Sequence, residues 1–130
     1  MTNLSSAMAK IFIVEDDTSL RLLYEKALAL NGHKIIGSAR DGQEAVQMYN
    51  SFEEKPDIII MDHRMPIKNG IEATKEILNN SSDFKPKVIF ASADNSIRDV
   101  ALGIGVKKFK SKPFTLQRLF DNIKKVLIND

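Results

Sequence analysis

Residues 57–62 read Asp-Ile-Ile-Ile-Met-Asp, and they give the strongest indication of the fold. Four consecutive apolar residues, Ile58 to Met61, stand between two aspartates without any polar residue among them. A strand with one face in water would alternate apolar and polar side chains, so the unbroken run predicts a strand that is covered on both faces. Strands of that kind are typical of parallel sheets with helices packed on either side.

The chain on both sides of this run alternates between strand and helix patterns. Strands are predicted from the apolar runs at 11–14, 35–36 and 88–91 and from a lysine-rich segment at 106–111. Apolar residues at helical spacing follow each strand, and the first such stripe contains Leu20, Leu23, Tyr24, Ala27 and Leu28. The pattern predicts a (βα)5 domain, with a parallel five-stranded sheet, helices on both faces and right-handed crossovers. The lysines of the fifth strand indicate that it lies at a sheet edge.

Residues that favour helix starts stand before several of the apolar stripes. The predicted capping residues are Asp17, Asp41 with Glu44, Ser96 with Asp99, and Thr115. The first eight residues are polar and have no periodicity, so 1–8 is predicted to be a disordered lead-in.

Polar and charged residues directly follow four of the five predicted strands. Glu15, Asp16 and Asp17 follow the first, Asp62 the third, Ser92 the fourth and Lys112 the fifth. In open parallel sheets, sites form beyond the carboxyl ends of the strands, so these side chains are expected to converge. Clustered carboxylates repel one another unless a cation lies among them, and oxygen ligands without His or Cys favour Mg²⁺. A carboxylate beside Mg²⁺ is also a nucleophile toward phosphorus, and Ser92 and Lys112 would then hold the phosphoryl oxygens of an aspartyl phosphate.

The composition excludes several other classes of protein. The chain has 130 residues, 43% hydrophobic and 28% charged, as is typical of one globular domain. No apolar run approaches the roughly 20 residues that a membrane-spanning helix needs, and the first ten residues do not resemble a secretory signal. With no Cys and two His, disulfide scaffolds, thiol chemistry and cysteine zinc sites are excluded and a His-rich metal site is not expected.

The net charge of +2 is distributed unevenly along the chain. Residues 101–130 have seven Lys or Arg and two acids, which gives +5 and leaves −3 for residues 1–100. A basic end of this kind is compatible with nucleic-acid binding. No recognition helix or stacking motif accompanies the lysines, so a solvated face or a protein-docking surface is the prediction.

Four motifs in order resemble the receiver domain of two-component response regulators. They are IVEDD at 13–17, IMDHRMP at 60–66 with Gly70, FASA at 90–93 and KPF at 112–114. The resemblance extends over residues 9–129 and implies a receiver domain at 9–130, with a flavodoxin-like doubly wound sheet and strand order 2-1-3-4-5. Each motif follows or ends a predicted strand, so the order of the four is far more specific than any one of them.

The resemblance also implies a role for each matching residue. Asp62 would be the phosphoacceptor, and Asp16 a direct Mg²⁺ ligand. Glu15 would act on Mg²⁺ mainly through water, and the backbone carbonyl of Arg64 would complete the ligands. Asp62 would itself contribute to the metal site.

Other matches concern the phosphoryl group and the conformational response. Ser92 would donate its hydroxyl and Lys112 its ammonium group to the phosphoryl oxygens. The Lys112–Pro113 peptide bond is expected to be cis. Phe109 matches an aromatic switch residue that turns inward when Ser92 moves toward the phosphoryl group.

Some positions depart from the family pattern or are open to other interpretations. Arg64 and Asp94 occupy two variable positions that flank the site and tune dephosphorylation, and their opposite charges predict an ion pair. His63 adjoins Asp62, but a receiver needs no protein base, so it is interpreted as an uninvolved loop residue. His33, in a turn after Gly32, is predicted to face solvent.

The resemblance implies a stand-alone response regulator in the cytoplasm that is not an enzyme acting on other molecules. It would catalyse only its own Mg²⁺-dependent phosphorylation and dephosphorylation, with a histidine kinase or phosphotransfer protein as phosphoryl donor. Its output would reach a target protein, or a second copy in a homodimer, through the fourth helix, fifth strand and fifth helix. The alternative is a receiver-like adaptor that works without phosphorylation. An aspartyl phosphatase is disfavoured because it would need a second acid two residues after the nucleophile, where this chain has Arg64. A dinucleotide-binding protein is disfavoured because Glu15 and its acidic neighbours would repel phosphate.

Overall fold

Five strands and five helices alternate along the residues that the computed structural model describes, 8–81 and 83–128. The strands are β1 (Lys10–Val14), β2 (Lys34–Ala39), β3 (Ile58–Met61), β4 (Lys87–Ser92) and β5 (Lys108–Ser111). The helices are α1 (Thr18–Leu30), α2 (Gly42–Ser51), α3 (Gly70–Asn80), α4 (Arg98–Gly103) and α5 (Leu116–Ile128). The predicted lead-in lies outside the described residues except for Met8. None of the described helices has the length and apolar character that crossing a membrane requires.

The strands pair in parallel in the order β2-β1-β3-β4-β5, which confirms the predicted flavodoxin-like (βα)5 fold. The apolar strand β3 lies at the centre of the sheet, and the lysine-bearing β5 lies at an edge, as predicted. The register places Val14 opposite Met61, and the Asp62 N–H donates to the Val14 carbonyl at 3.0 Å. Glu15 directly follows Val14 and Asp62 directly follows Met61, so the two residues leave the sheet side by side.

Both faces of the sheet are buried, which explains the unbroken apolar runs. Ile59 and Met61 of β3 belong to the core on one face, whereas Ile58 and Ile60 belong to the core on the other. All four side chains are at most 1% exposed. Burial of each such side chain stabilises the fold by about 1.5–3 kcal/mol, so the central strand anchors the residues at its carboxyl end.

The predicted caps form before α1, α2 and α5 but not before α4. At α2 the Glu44 side chain accepts from the Arg40 N–H, so the reciprocal half of the predicted box with Asp41 does not form. Asp17, Asp41 and Thr115 each accept a hydrogen bond from the backbone N–H three residues later. The predicted cap at Ser96 and Asp99 is wrong. Asp94 instead accepts from both the backbone N–H and the hydroxyl of Ser96, so Ser96 is a donor, and a 3-10 turn at Asn95–Ile97 precedes α4.

Two predictions of exposure are wrong. His33 is buried, and its Nδ1 accepts from the Ala9 N–H at 3.0 Å, because the residue before β2 lies beside the backbone that leads into β1. Burial lowers the pKa of His33. Leu23, predicted for the buried stripe of α1, is 48% exposed, since the buried face of the helix is centred on Tyr24 and Leu28 and Leu23 lies at its rim.

Candidate functional site

Three carboxylates meet at the carboxyl edge of the sheet. Glu15 and Asp16 follow β1, Asp62 follows β3, and one oxygen of each lies within 4.8 Å of the other two. Glu15 and Asp62 are 2% and 7% exposed, whereas Asp16 is exposed. The register of the two central strands thus produces the convergence that the sequence predicts.

Burial changes the ionisation of the two inner carboxyl groups. Loss of hydration raises the pKa of Glu15 to about 7, although a hydrogen bond from Lys112 acts in the opposite direction. Burial also raises the pKa of Asp62, against the opposing influence of the Lys112 charge. Two buried carboxylates this close ionise together only when positive charge lies near both of them.

Lys112 brings one positive charge to this cluster from the end of β5. Its Nζ donates to Glu15 Oε1 at 2.8 Å and lies 3.7 Å from Asp62 Oδ2. The Lys112–Pro113 bond is cis, as expected from the resemblance. The Lys112 backbone N–H donates to the Ser92 carbonyl at 2.9 Å, which fixes the end of β5 against the end of β4.

Ser92 lies at the end of β4, beside the central strand. The side chain is 1% exposed, and its Oγ accepts a hydrogen bond from the Asp94 backbone N–H at 3.0 Å. That bond uses a lone pair of the hydroxyl oxygen and leaves the hydroxyl hydrogen available as a donor.

Gly70, at the start of α3, lies so close to the loop after β3 that a side chain would not fit there. A Cβ on Gly70 would lie 2.2 Å from the Asp62 carbonyl oxygen, and the Gly70 N–H donates to the His63 carbonyl at 3.0 Å. The glycine therefore allows the start of α3 to pack directly against the backbone of Asp62. This contact fixes the loop that carries Asp62, His63 and Arg64.

Two charged side chains stand at the mouth of the site. The Arg64 Nη2 is 3.6 Å from Asp94 Oδ2, as their opposite charges predict. The Arg64 side chain is 78% exposed, and hydrogen bonds from Ser96 lower the pKa of Asp94. The pair therefore connects the loop after β3 to the loop after β4.

Phe109 lies farther from the carboxylates, on β5. It is half-buried and stands opposite Phe90 of β4, with 6.4 Å between the ring centroids. The structure thus places this residue against the core rather than within the acidic cluster.

Sequence reasoning missed the backbone donors that orient the carboxylates. The N–H of His63 donates to Asp62 Oδ1 at 2.8 Å, and the N–H of Asp17 donates to Glu15 Oε2 at 3.1 Å. A side-chain donor, the Nη1 of Arg21, also reaches the backbone carbonyl of Glu15 at 2.8 Å. Every residue except proline has a backbone N–H, so no residue type in the sequence marks such donors.

The acidic cluster fits a hard divalent cation. Its ligand atoms are all carboxylate oxygens, and two of the three groups are buried. Among the described residues, the ion pairs of Glu15 and Asp62 are both made by the single ammonium of Lys112. Oxygen ligands of this kind suit Mg²⁺, and a bound cation would favour the ionised forms of Glu15 and Asp62. Glu15, Asp16 and Asp62 are therefore the residues that the structure offers to such an ion.

Known proteins share both the sequence pattern and the fold. Residues 11–124 match the response regulator receiver domain family. The chain is 35% identical to the chemotaxis protein CheY of Thermotoga maritima, over 90% of this chain and 96% of the relative. It is also 35% identical to CheY of Bacillus subtilis, over 91% of this chain and 97% of the relative.

Solved structures agree with these matches. The chain resembles one chain of the crystal structure of the CheX–CheY–BeF3–Mg²⁺ complex from Borrelia burgdorferi, with a TM-score of 0.83 and 27% identity, over 90% of this chain and 87% of that one. It resembles the response regulator domain of Thermotoga maritima CheB with a TM-score of 0.82 and 28% identity, over 95% and 98% of the two chains. With its acidic pocket at the carboxyl edge of the sheet, this chain belongs to the receiver domain family of two-component response regulators.

Proposed function

We propose that this receiver accepts a phosphoryl group on Asp62 from a histidine kinase or a phosphotransfer protein, in a Mg²⁺-dependent reaction. The observation that carries the proposal is the position of Asp62, a buried carboxylate with two acidic neighbours and the Lys112 ammonium at 3.7 Å. A donor of this kind works in the cytoplasm, so the proposal implies a cytoplasmic location.

The transfer exchanges one bond to phosphorus for another. A carboxylate oxygen of Asp62 forms the new P–O bond while the P–N bond of the donor phosphohistidine breaks, and the released imidazole nitrogen keeps the electron pair of that bond. Lys112 would neutralise the phosphoryl oxygens and the Ser92 hydroxyl would donate a hydrogen bond to them; the 3.7 Å between Lys112 Nζ and Asp62 Oδ2 supports the first of these roles. When bound by Glu15, Asp16, Asp62 and the Arg64 carbonyl, Mg²⁺ supplies charge neutralisation at the carboxylates and the phosphoryl oxygens.

Phosphorylation would alter the surface formed by α4, β5 and α5. Ser92 and Phe109 are the proposed switch residues, because Ser92 lies at the site and Phe109 lies on the neighbouring edge strand. Exposed or half-buried cations of this surface are Lys107, Lys108, Lys110, Arg118 and Lys124. Their charge favours an acidic target protein, and a homodimer through the same surface is the second arrangement that we propose for output.

The Arg64–Asp94 pair is proposed to tune the lifetime of the phosphorylated state. The two side chains meet across the mouth of the site, where a water molecule attacking the phosphoryl group would enter. We propose that the pair hinders that water and so lengthens the lifetime.

The proposal is tested with a small-molecule phosphoryl donor and needs no identified kinase. The chain is incubated with acetyl phosphate and Mg²⁺, and intact mass is measured. One phosphate adduct is expected on the wild type and none on Asp62→Asn. A wild type that gains no adduct would favour the alternative, an adaptor that works without phosphorylation.

A further inference from the structure

Three rings in contact connect the residue after Asp62 to the edge strand β5. The ring centroids of His63 and Phe90 are 6.4 Å apart with an interplanar angle of 29°, and those of Phe90 and Phe109 are 6.4 Å apart with an angle of 30°. Phe90 is fully buried, and the other two rings are half-buried. We call His63, Phe90 and Phe109 the aromatic series.

The first ring belongs to a residue whose backbone is bonded to the phosphoacceptor. The His63 N–H donates to Asp62 Oδ1 at 2.8 Å, and the His63 carbonyl accepts from the Gly70 N–H at 3.0 Å. A group attached to the Asp62 carboxylate changes the charge and direction of the acceptor in the first of these bonds. The backbone of His63 is therefore in direct contact with the group whose state changes.

Packing, and not hydrogen bonding, keeps the His63 ring inside. Its Nδ1 is buried and has no hydrogen-bond partner among the described residues. An unpaired buried nitrogen costs about 1–3 kcal/mol, and the contact of the ring with Phe90 is a packing interaction that opposes this cost. A displacement of the ring toward the core presses on Phe90, which is fully buried and has no free volume around it to absorb the shift.

The second and third rings are held in register. Phe90 and Phe109 are paired residues of β4 and β5, so their side chains point to the same face of the sheet. β4 lies between two strands, whereas β5 is an edge strand of four residues with a single neighbour. Of the two strands, β5 moves at the lower cost, and a shift of Phe90 is therefore expressed at Phe109.

We propose that His63 and Phe90 are positioning residues that transmit the state of Asp62 to Phe109 and β5. The inference rests on the proposed function, since it requires a phosphoryl group or its mimic at Asp62. It revises the interpretation of His63 as an uninvolved loop residue. His63 acts in this proposal through the packing of its ring, and no protonation of the imidazole is involved.

The test follows backbone amide chemical shifts on addition of beryllium fluoride and Mg²⁺ to the full chain. The His63 amide reports occupation of the site, and the Lys108 and Lys110 amides report the response of β5. Phe90→Leu and His63→Leu remove one ring each and keep every backbone donor. Phe12→Leu is the matched control, because Phe12 is equally buried in the same core and contacts Phe52 instead of the aromatic series.

We expect the backbone amide of residue 63 to respond in the wild type and in all three variants at saturating beryllium fluoride. The changes at Lys108 and Lys110 are expected to fall about twofold or more in Phe90→Leu and His63→Leu and to persist in Phe12→Leu. Wild-type responses of β5 in Phe90→Leu and His63→Leu would overturn the inference and leave the proposed function intact. A wild type whose His63 amide does not respond would overturn the proposed function, and with it the inference.

Discussion

The ammonium group of Lys112 lies closer to Glu15 than to Asp62, at 2.8 Å from Glu15 Oε1 and 3.7 Å from Asp62 Oδ2. The two buried carboxylates thus share one cation, which is bonded directly to only one of them. A phosphoryl group on Asp62 would add negative charge on the side where Lys112 makes no hydrogen bond. Lys112 is therefore placed to exchange partners during the reaction.

Lys112→Met is expected to slow formation of the phosphate adduct by about 100-fold, because the phosphoryl oxygens lose a charged donor. Mg²⁺ binding is not expected to weaken at a pH well above 7, where Glu15 is ionised, since the removed charge repels the cation. Intact-mass time courses and titration calorimetry measure the two effects. Lys75→Met, at an exposed lysine of α3, is the control. Equal adduct rates in the two variants would contradict the role of Lys112.

Arg64→Ala is expected to accelerate loss of the phosphoryl group several-fold, because the side chain no longer covers the path of the attacking water. The free energy of unfolding should change by less than about 1 kcal/mol, as is usual for an exposed ion pair. Loss of the adduct after removal of the donor is followed by intact mass. Arg98→Ala is the control, because it removes another exposed arginine, whose ion pair with Asp99 does not involve Asp94. If Arg64→Ala and Arg98→Ala lose phosphate at the same rate as the wild type, the tuning role is wrong.

The buried His33 predicts a loss of stability in mild acid. Burial holds the pKa of His33 below its unfolded value of 6.5, so the unfolded chain binds the proton more tightly than the folded protein. The resulting contribution is fully present above pH 6.5 and is lost as the pH falls toward the folded pKa. Urea unfolding at several pH values between about 7.5 and about 5, an interval that spans the ordinary histidine pKa, measures this change in the free energy of unfolding.

His33→Asn separates this effect from other acid-sensitive groups. The Asn Oδ1 is expected to keep an acceptor for the Ala9 N–H without a titrating ring. The variant should therefore lose less stability than the wild type over the same pH interval. Identical pH dependence in the two proteins would show that His33 makes no such contribution.

Gly70→Ala is expected to destabilise the protein by about 1–3 kcal/mol or more, because the new Cβ would overlap the Asp62 carbonyl oxygen. The displaced backbone should also weaken Mg²⁺ binding at the neighbouring carboxylate. Gly103→Ala is the matched control in α4, since a Cβ there meets nothing within 4 Å. Denaturant unfolding and Mg²⁺ titration are measured on both variants. Equal stability of the two would be inconsistent with the close approach at Gly70.

The sequence predicts the fold well because its decisive signals are local. Four buried residues in succession at Ile58–Met61 require cover on both faces, and strict alternation with helices leaves a parallel sheet. The cluster of Glu15, Asp16 and Asp62 follows from that topology, because the carboxyl ends of parallel strands share one edge.

Contacts between side chains and backbone segments that are far apart in the sequence could not be predicted from local patterns. His33 is buried because its Nδ1 meets the Ala9 N–H, a contact between residues 24 positions apart. The contact of His63 with Asp62 Oδ1 is made by a backbone N–H, which any residue type would supply. The packing of its ring on Phe90 depends on the register of β3 with β4, and residue identity alone does not fix it.

The most direct test of the proposed function is the position of the phosphate after incubation with acetyl phosphate and Mg²⁺. Intact mass is compared for the wild type, Asp62→Asn and Asp57→Asn, the last of which changes the aspartate at the opposite end of the same strand. We predict one adduct on the wild type and on Asp57→Asn, and none on Asp62→Asn. When Mg²⁺ is chelated, we predict no adduct on any of the three proteins. An adduct that persists in Asp62→Asn, or a wild type that gains none, would contradict the assignment of Asp62 as the phosphoacceptor.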